Sequence, residues 1–266
     1  MLVPVIRAQT ATSLLQIADH LSASTRSSGD VLGIVEMPRT NLPNLPRVLE
    51  ERRRDLLRWI ASIDTSGRAS RLNVQTRVSH DVRQGIREAV YENGSNLVVV
   101  EWPGLTSRRP RLLTAVLEDL VSDPPASLAL VRPDPDGSRG GPGVLVPVRG
   151  GANAPLAVKL GAALAEARQS VLTILHVIEN QQHHRRRAAM SERFHELVDS
   201  IRYGRVEIQE RESGSAAATI LKESQAYQTT VLGAFAEQRG SPVLVQAAFA
   251  HMVRQLRGTV ILARRA

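Results

Sequence analysis

The sequence predicts an α/β protein of two tandem domains, each a five-stranded parallel sheet with helices on both faces. Three observations support this. Short apolar runs alternate with amphipathic segments along the chain, a segment of turn-forming residues interrupts the alternation once, and the same order of elements follows on each side. Strands that alternate with helices favour right-handed crossovers and a sheet that is covered on both faces.

The interruption reads Arg-Pro-Asp-Pro-Asp-Gly-Ser-Arg-Gly-Gly-Pro-Gly and covers residues 132–143 of the 266. Such residues favour turns and supply no core. Beyond it, Leu145-Val-Pro-Val-Arg149 repeats the opening Leu2-Val-Pro-Val-Ile6, which indicates two copies of one domain. We therefore predict a first domain at 1–132, a linker at 133–143 and a second domain at 144–266, each long enough to bury a core.

Each copy contains five short strands and four helices in the pattern of apolar residues. In the first copy we expect strands at about 2–6, 30–36, 71–78, 96–100 and 127–132, and helices at about 11–25, 45–63, 81–92 and 109–122. In the second copy we expect strands at about 144–148, 171–177, 205–211, 229–233 and 259–263, and helices at about 153–168, 184–202, 215–226 and 243–256. The helix at 45–63 places the arginines at 52–54 mostly away from an apolar face that consists of Leu49, Leu56, Ile60 and Ile63.

Composition excludes several classes of protein. The chain has no cysteine, which excludes a disulfide framework and thiolate metal sites. Its apolar runs are only a few residues long, too short to span a membrane. The net charge is +8, but the 26 acidic residues are mixed with the basic ones and aromatic residues make up only 3%, too few for base stacking. We expect a cytosolic protein without a nucleic-acid partner.

Several short segments recur in the same order in the two halves. In the second half they are Val144–Gly151, Val171–Val177, Val231-Leu-Gly233 and Gly258–Ala263. In the first half they are Leu2–Ile6, Ser79-His-Asp-Val82, Val98-Val-Val100 and Asp123–Val131. Their order and spacing, repeated twice over nearly the whole chain, resemble the universal stress protein family.

The resemblance implies a flavodoxin-like sheet in each copy and pairing through the last strands, as a homodimer or as an internal pseudo-dimer of the two halves. Some members of the family bind ATP. They use an acidic residue after the first strand, Gly-x-x-Gly after the fourth, and a Gly-Ser or Gly-Thr pair nine residues further on. Glycines at such positions let backbone N–H groups approach phosphate at a helix N-terminus.

Neither copy keeps this motif in full. In the first copy Glu101 takes the place of the first glycine, Gly104 keeps the second, and Thr114-Ala115 replaces the pair. In the second copy Gly233 keeps the first place, whereas Ala236 and Gln246-Ala247 replace the rest. The acidic position holds Ile6 in one copy and Arg149 in the other. We expect ATP binding to be lost and no cofactor to be required, since missing glycines block close backbone approach.

A turn after the second copy's first strand contains Arg149 and Gly150-Gly151 and precedes Asn153, an expected helix N-cap. These residues admit two interpretations, a tight turn or a site for a small anion. The degenerate nucleotide positions that we single out are Gly104, Arg149, Gly150 and Gly233. The histidines show no metal-ligand spacing and no nucleophile motif accompanies them, so we expect no catalysis.

A Glu-Trp-Pro-Gly turn at 101–104 and Val116–Ala126, with its Pro-Pro, resemble a subgroup of these domains that forms the cytosolic part of membrane transporters such as amino-acid permeases and cation–chloride cotransporters. We therefore expect a non-catalytic regulatory or interaction module that contacts a transmembrane domain at the inner face of the plasma membrane. The alternative is a freestanding universal stress protein that binds ATP or AMP through a degenerate motif. Two arginine clusters, 185–187 and 108–111, admit contact with anionic lipids or simple solvent exposure.

Overall fold

A computed structural model describes residues 1–5, 8–38, 44–63, 71–102, 115–134, 141–179, 194–233 and 247–266. The described chain forms two compact units. Among the described residues, the first comprises 1–102 and 115–129 and the second runs from Leu130 to Arg265. None of the helices in the described ranges is long and apolar enough to cross a membrane.

The first unit alternates strands and helices from its first residues. The elements in chain order are β1 (Leu2–Val5), α1 (Ala8–Thr25), β2 (Gly29–Glu36), α2 (Leu45–Ala61), β3 (Leu72–Ser79), α3 (Val82–Glu92), β4 (Leu97–Glu101), α4 (Ala115–Ser122) and β5 (Ser127–Arg132), the last of which crosses the unit boundary. The strand order is β3-β2-β1-β4-β5. Strand β1 pairs in parallel with β2 and β4, and β2 with β3.

The second unit repeats this plan. Its elements are β6 (Gly141–Val148), α5 (Ala154–Ala167), β7 (Leu172–Glu179), β8 (Val206–Ser213), α6 (Ala216–Ser224), β9 (Tyr227–Gly233), α7 (Ala247–Gln255) and β10 (Thr259–Arg264), with helical residues also at 194–199. The strand order is β10-β9-β6-β7-β8, and β6 pairs in parallel with both β7 and β9. The same order of corresponding strands in both units confirms the predicted α/β fold with parallel sheets.

The central strands supply the core of each unit because helices cover both of their faces. Val98, Val99 and Val100 of β4 are fully buried, and so are Val144 and Leu145 of β6. Continuous apolar runs of this kind are what a parallel sheet requires, whereas a sheet with one wet face alternates apolar and polar residues.

Both units place a side-chain cap where the helix after the third strand begins. The Asp81 carboxylate accepts the Arg83 backbone N–H at 2.7 Å at the start of α3, and the Ser215 hydroxyl accepts the Ala218 N–H at 3.3 Å at the start of α6. Each bond satisfies one of the N–H groups that a helix start leaves without an intrahelical partner. The repeat therefore extends to local contacts.

Two element boundaries can be compared with the sequence patterns. Helix α3 ends at Glu92, and Gly94 follows with a φ of 58°, as the Asn93-Gly94 stop signal predicts. Strand β6 begins at Gly141, three residues earlier than predicted, because the Gly141 N–H donates to the Ala226 carbonyl at 2.9 Å and continues the pairing with β9 through an irregular register.

Candidate functional site

The turn between β6 and α5 carries two of the positions singled out in the sequence. Gly150 has a φ of 76°, a left-handed conformation that side chains rarely adopt. Arg149 beside it is exposed, and α5 begins at Ala154, four residues after Gly150. The left-handed backbone is sufficient reason for a glycine at position 150, whether or not the turn also holds an anion.

Asn153 occupies the N-cap position of α5, as expected, but its side chain does not cap the helix. Its Oδ1 atom instead accepts the Arg265 backbone N–H at 2.8 Å. The expectation of a side-chain cap was therefore wrong, because the residue just beyond β10 provides the donor. The bond fixes the start of α5 to the end of β10.

Gly233, the third position singled out in the second unit, ends β9 beside the start of α5. It pairs with Ala263 of β10. A Cβ atom at Gly233 would lie 3.1 Å from the Asn153 carbonyl carbon and 3.2 Å from the Ala154 nitrogen. The close approach of strand and helix thus gives this glycine a packing role. The structure brings Gly233, Asn153 and Arg265 together at the carboxyl edge of the second sheet.

The corresponding edge of the first unit ends in a buried carboxyl group. Glu101 is the last residue of β4 and is 5% exposed, and Trp102 after it is fully buried. Gly104, Thr114 and the arginine clusters at 108–111 and 185–187 lie outside the described residues, as do Ile6, Ala236 and Gln246. Of the four degenerate nucleotide positions, the structure therefore describes three, namely Arg149, Gly150 and Gly233.

A cavity of about 700 Å³ lies in the first unit at the carboxyl ends of β1 and β2. Apolar side chains make up most of its wall, among them Val5 and Leu56, and it also contains Trp59, Arg52 and Glu36. The carboxyl edge of a parallel sheet is where such folds bind ligands. Sequence reasoning missed this site, and it expected Arg52 away from the apolar face on which Leu56 lies.

The ring of His176, the buried histidine among the described residues of the second unit, is held by a hydrogen bond and by a stacking contact. The Nδ1 atom of His176 lies 3.2 Å from the Val148 carbonyl oxygen, which can only accept, so the ring donates from this atom. Its ring stacks on Phe194 with centroids 4.6 Å apart. Among the residues that the structure describes, no group of three or more histidine or acidic side chains could hold a metal ion.

Two arginines that sequence reasoning did not single out are largely removed from water within the second unit. Arg168 donates to the Thr229 hydroxyl at 2.8 Å, and Arg132 donates to the carbonyl oxygens of Val253, at 3.0 Å, and Leu256. Burial lowers the pKa of both guanidinium groups from their usual value, since desolvation disfavours the charged form. Arginine stays protonated nonetheless, and both contacts stabilise the fold.

The sequence matches no protein-family model and no curated protein. Solved structures, however, match the whole chain. A universal stress protein from Archaeoglobus fulgidus DSM 4304 is 16% identical with a TM-score of 0.64, over 100% of this chain and 96% of that one. The cytoplasmic domain of a prokaryotic cation chloride cotransporter is 14% identical with a TM-score of 0.59, over 99% and 94% of the two chains.

These likenesses define the class of fold. The chain is an α/β protein with two similar units in tandem, each built on a parallel sheet. Its fold is that of the universal stress proteins, as the resemblance in the sequence predicted, and the same fold occurs in the cytoplasmic domain of a transporter.

Proposed function

We propose that this chain is a non-catalytic regulatory module of universal stress protein type that serves as the cytosolic domain of a membrane transporter. The observation that carries the proposal is the likeness to the cotransporter's cytoplasmic domain over 99% of this chain and 94% of that one. A likeness of this extent covers both units together, as expected if the tandem arrangement itself is the functional unit.

The chemistry of the described residues supports a role without catalysis. The buried His176 is held by Phe194 and a backbone carbonyl, and the partly buried Arg132 and Arg168 donate to a backbone carbonyl and to a hydroxyl group. A catalytic site requires a base or nucleophile placed beside a substrate cavity. The described wall of the first-unit cavity contains the charged side chains Glu36 and Arg52, but no serine, threonine, histidine or lysine to complete a catalytic set with them.

The mechanism in this proposal is conformational. A ligand or a transmembrane partner that binds one arrangement of the protein more tightly shifts the equilibrium toward that arrangement. Pairing through the last strands, as a homodimer or between the two halves, would supply the surface on which the shift acts. Cross-linking and light scattering of the purified chain test the homodimer.

The experiment that tests the proposal begins with the native coding sequence upstream of Met1. Segments of about 20 apolar residues there would identify a transporter, and transport would then be measured in proteoliposomes with and without residues 1–266. A change in transport rate on deletion supports regulation. A native gene that encodes only these two units, together with substrate turnover by the purified chain, would contradict it.

A second candidate is a freestanding protein that binds ATP or AMP. The archaeal universal stress protein has a TM-score of 0.64 against this chain, and the start of α5, which lacks a side-chain cap, lies beside Arg149 and Gly150. In this candidate Arg149, Gly150 and Gly233, with Gly104 in the first unit, contact the nucleotide.

Calorimetric titration with ATP, ADP and AMP distinguishes the two candidates. The first candidate predicts no heat of binding. Micromolar binding that Arg149→Gln weakens would favour the second, and the exposed Arg257→Gln serves as a control for loss of positive charge elsewhere in the same unit.

A further inference from the structure

Helix α2 contributes one arginine, Arg52, to the wall of the first-unit cavity, and the ion pairs of the helix distinguish it from three of the others. Three of its arginines have acidic partners one turn away, since Arg47 pairs with Glu51 at 3.0 Å, Arg53 with Glu50 at 3.7 Å and Arg58 with Asp55 at 3.2 Å. These exposed pairs neutralise one another locally.

Arg52 differs from these three in its surroundings. It lies in the wall of the cavity, and among the described residues it has no ion-pair partner. Arg54, two positions further along the same helix, is likewise exposed and without an ion pair in the described part of the chain, but it is not part of the wall. The helix therefore directs one uncompensated cation at the cavity and another away from it.

The rest of the wall is suited to an apolar body. Leu56 and Trp59 follow Arg52 at spacings of four and seven residues, which places all three on one side of the helix. Val5 of β1 and Val82 at the start of α3 also belong to the wall. An indole ring beside aliphatic side chains favours a flat or unbranched hydrocarbon group.

We propose that this cavity binds a small apolar anion, a carboxylate on an aromatic or aliphatic body, with the anionic group on Arg52 and the body against Leu56 and Trp59. A guanidinium group binds a carboxylate through paired N–H donors. Glu36, the carboxylate in the wall, then disfavours a second negative charge, so the ligand should carry a single negative charge.

None of the four degenerate nucleotide positions belongs to the described wall, whose residues come from β1, β2, α2 and α3. Val5 in the wall directly precedes Ile6, which holds the acidic position of the nucleotide motif in this copy. This inference names a ligand for the proposed regulatory module, and it rests on the proposed function only for the role that the ligand would have. Binding itself can be measured on the isolated chain, whether or not a transporter is involved.

The test uses three probes that differ only in their head group: 3-phenylpropionate, 3-phenylpropanol and 3-phenylpropylamine. Titration of the whole chain is followed by calorimetry and by tryptophan fluorescence. We expect the carboxylate to bind about tenfold more tightly than the alcohol, as one charge-assisted hydrogen-bonded pair predicts. We expect the amine to bind more weakly than both. Equal binding of all three, tighter binding of the amine, or no binding of the carboxylate overturns the proposal.

Variants assign the binding to the cavity. Arg52→Gln should weaken the carboxylate about tenfold and leave the alcohol unchanged, whereas the matched control Arg54→Gln should change neither. Glu36→Gln should tighten the carboxylate, because it removes a negative charge from the wall, and weaker binding would contradict the proposed position of the anionic group. Trp59→Phe should remove the fluorescence response, and Val82→Phe, which narrows the cavity, should weaken binding. A loss of carboxylate binding in Arg54→Gln equal to that in Arg52→Gln would overturn the assignment.

Discussion

Gly233 lies against the backbone of Asn153, where a Cβ atom on the glycine would stand 3.1 Å from the Asn153 carbonyl carbon. The same asparagine accepts the Arg265 backbone N–H. The start of α5 is therefore held between the ends of β9 and β10 by one close approach and one hydrogen bond. The position that a nucleotide motif assigns to phosphate contact has a structural requirement of its own here.

Replacing Gly233 with alanine should destabilise the second unit by about 1–2 kcal/mol, because the new methyl group would press on backbone atoms that cannot rotate away. Chemical denaturation followed by circular dichroism measures the change. Gly151→Ala is the matched control, since nothing lies within 4 Å of a Cβ atom there. It should be neutral or stabilise the unit by up to about 0.5 kcal/mol. Equal effects of the two variants would contradict the packing role.

The fold of the described units could be predicted from the sequence because short apolar runs and amphipathic segments alternate in the same order in both copies. Val98–Val100 and the Asn93-Gly94 stop are local signals of this kind. The surroundings of Asn153 are different. Its partner Arg265 is 112 residues away along the chain, and no spacing rule connects them, so the sequence indicated a side-chain cap where the fold provides a tertiary bond.

The cavity was missed for a related reason. Three consecutive arginines at 52–54 form one run in the sequence, and only the rotation of α2 against β1 and β2 decides which of them reaches the wall. The spacing of Arg52, Leu56 and Trp59 was visible, but an arginine on an apolar face indicates a cavity only when the opposite wall is known. Helical periodicity places residues on a face and leaves the space in front of that face undetermined.

Arg132 should contribute to the stability of α7 through one carbonyl group near the end of that helix and one on the residue that follows it. It donates to Val253 at 3.0 Å and to Leu256, and helix ends leave such carbonyls without intrahelical donors. Arg132→Met should cost about 1–3 kcal/mol, because the acceptors lose a charged donor while remaining largely buried. Hydrogen exchange of the amides of 247–256 should become faster in this variant.

The controls for that prediction are Arg132→Lys and Arg257→Gln. Lysine keeps the charge but cannot reach two carbonyls with a planar fork, so its effect should be intermediate. Arg257 is exposed, and its replacement should leave exchange in α7 unchanged. If Arg132→Met had no more effect than Arg257→Gln, the capping contacts would be of no consequence for stability.

Acid should weaken the first unit through Glu88 of α3. Hydrogen bonds from Gln84 and from Arg77 hold the pKa of this carboxyl below its usual value. A carboxyl whose pKa is lower in the folded state stabilises the fold above its unfolded pKa, and that contribution is lost as the pH falls through the folded value. Melting temperatures measured from pH 6 to pH 3 should therefore fall less steeply below about pH 4.3 in Glu88→Gln than in the native chain. Parallel curves for the two proteins would rule out this contribution.

Arg87 should matter more to the first unit than the neighbouring Arg83. Its guanidinium contacts α4 and the residue after it, with Asp119 at 3.2 Å, the Asp123 carboxylate at 2.9 Å and the Asp123 carbonyl at 2.7 Å. The Arg83 side chain instead pairs with Asp81, two residues away, and is 44% exposed against 23% for Arg87. A contact between helices fixes tertiary structure, whereas an exposed local pair is worth little.

We therefore expect Arg87→Gln to destabilise the first unit by about 1–2 kcal/mol and Arg83→Gln by less than about 0.5 kcal/mol. Urea denaturation of both variants measures the difference, and the double variant Arg87→Gln with Asp119→Asn should cost less than the sum of its single changes. Strict additivity would show that the arginine and the aspartate act independently. In that case the link between α3 and α4 would depend on their apolar side chains, such as Ile86, Leu117 and Leu120, each of which is at most 2% exposed.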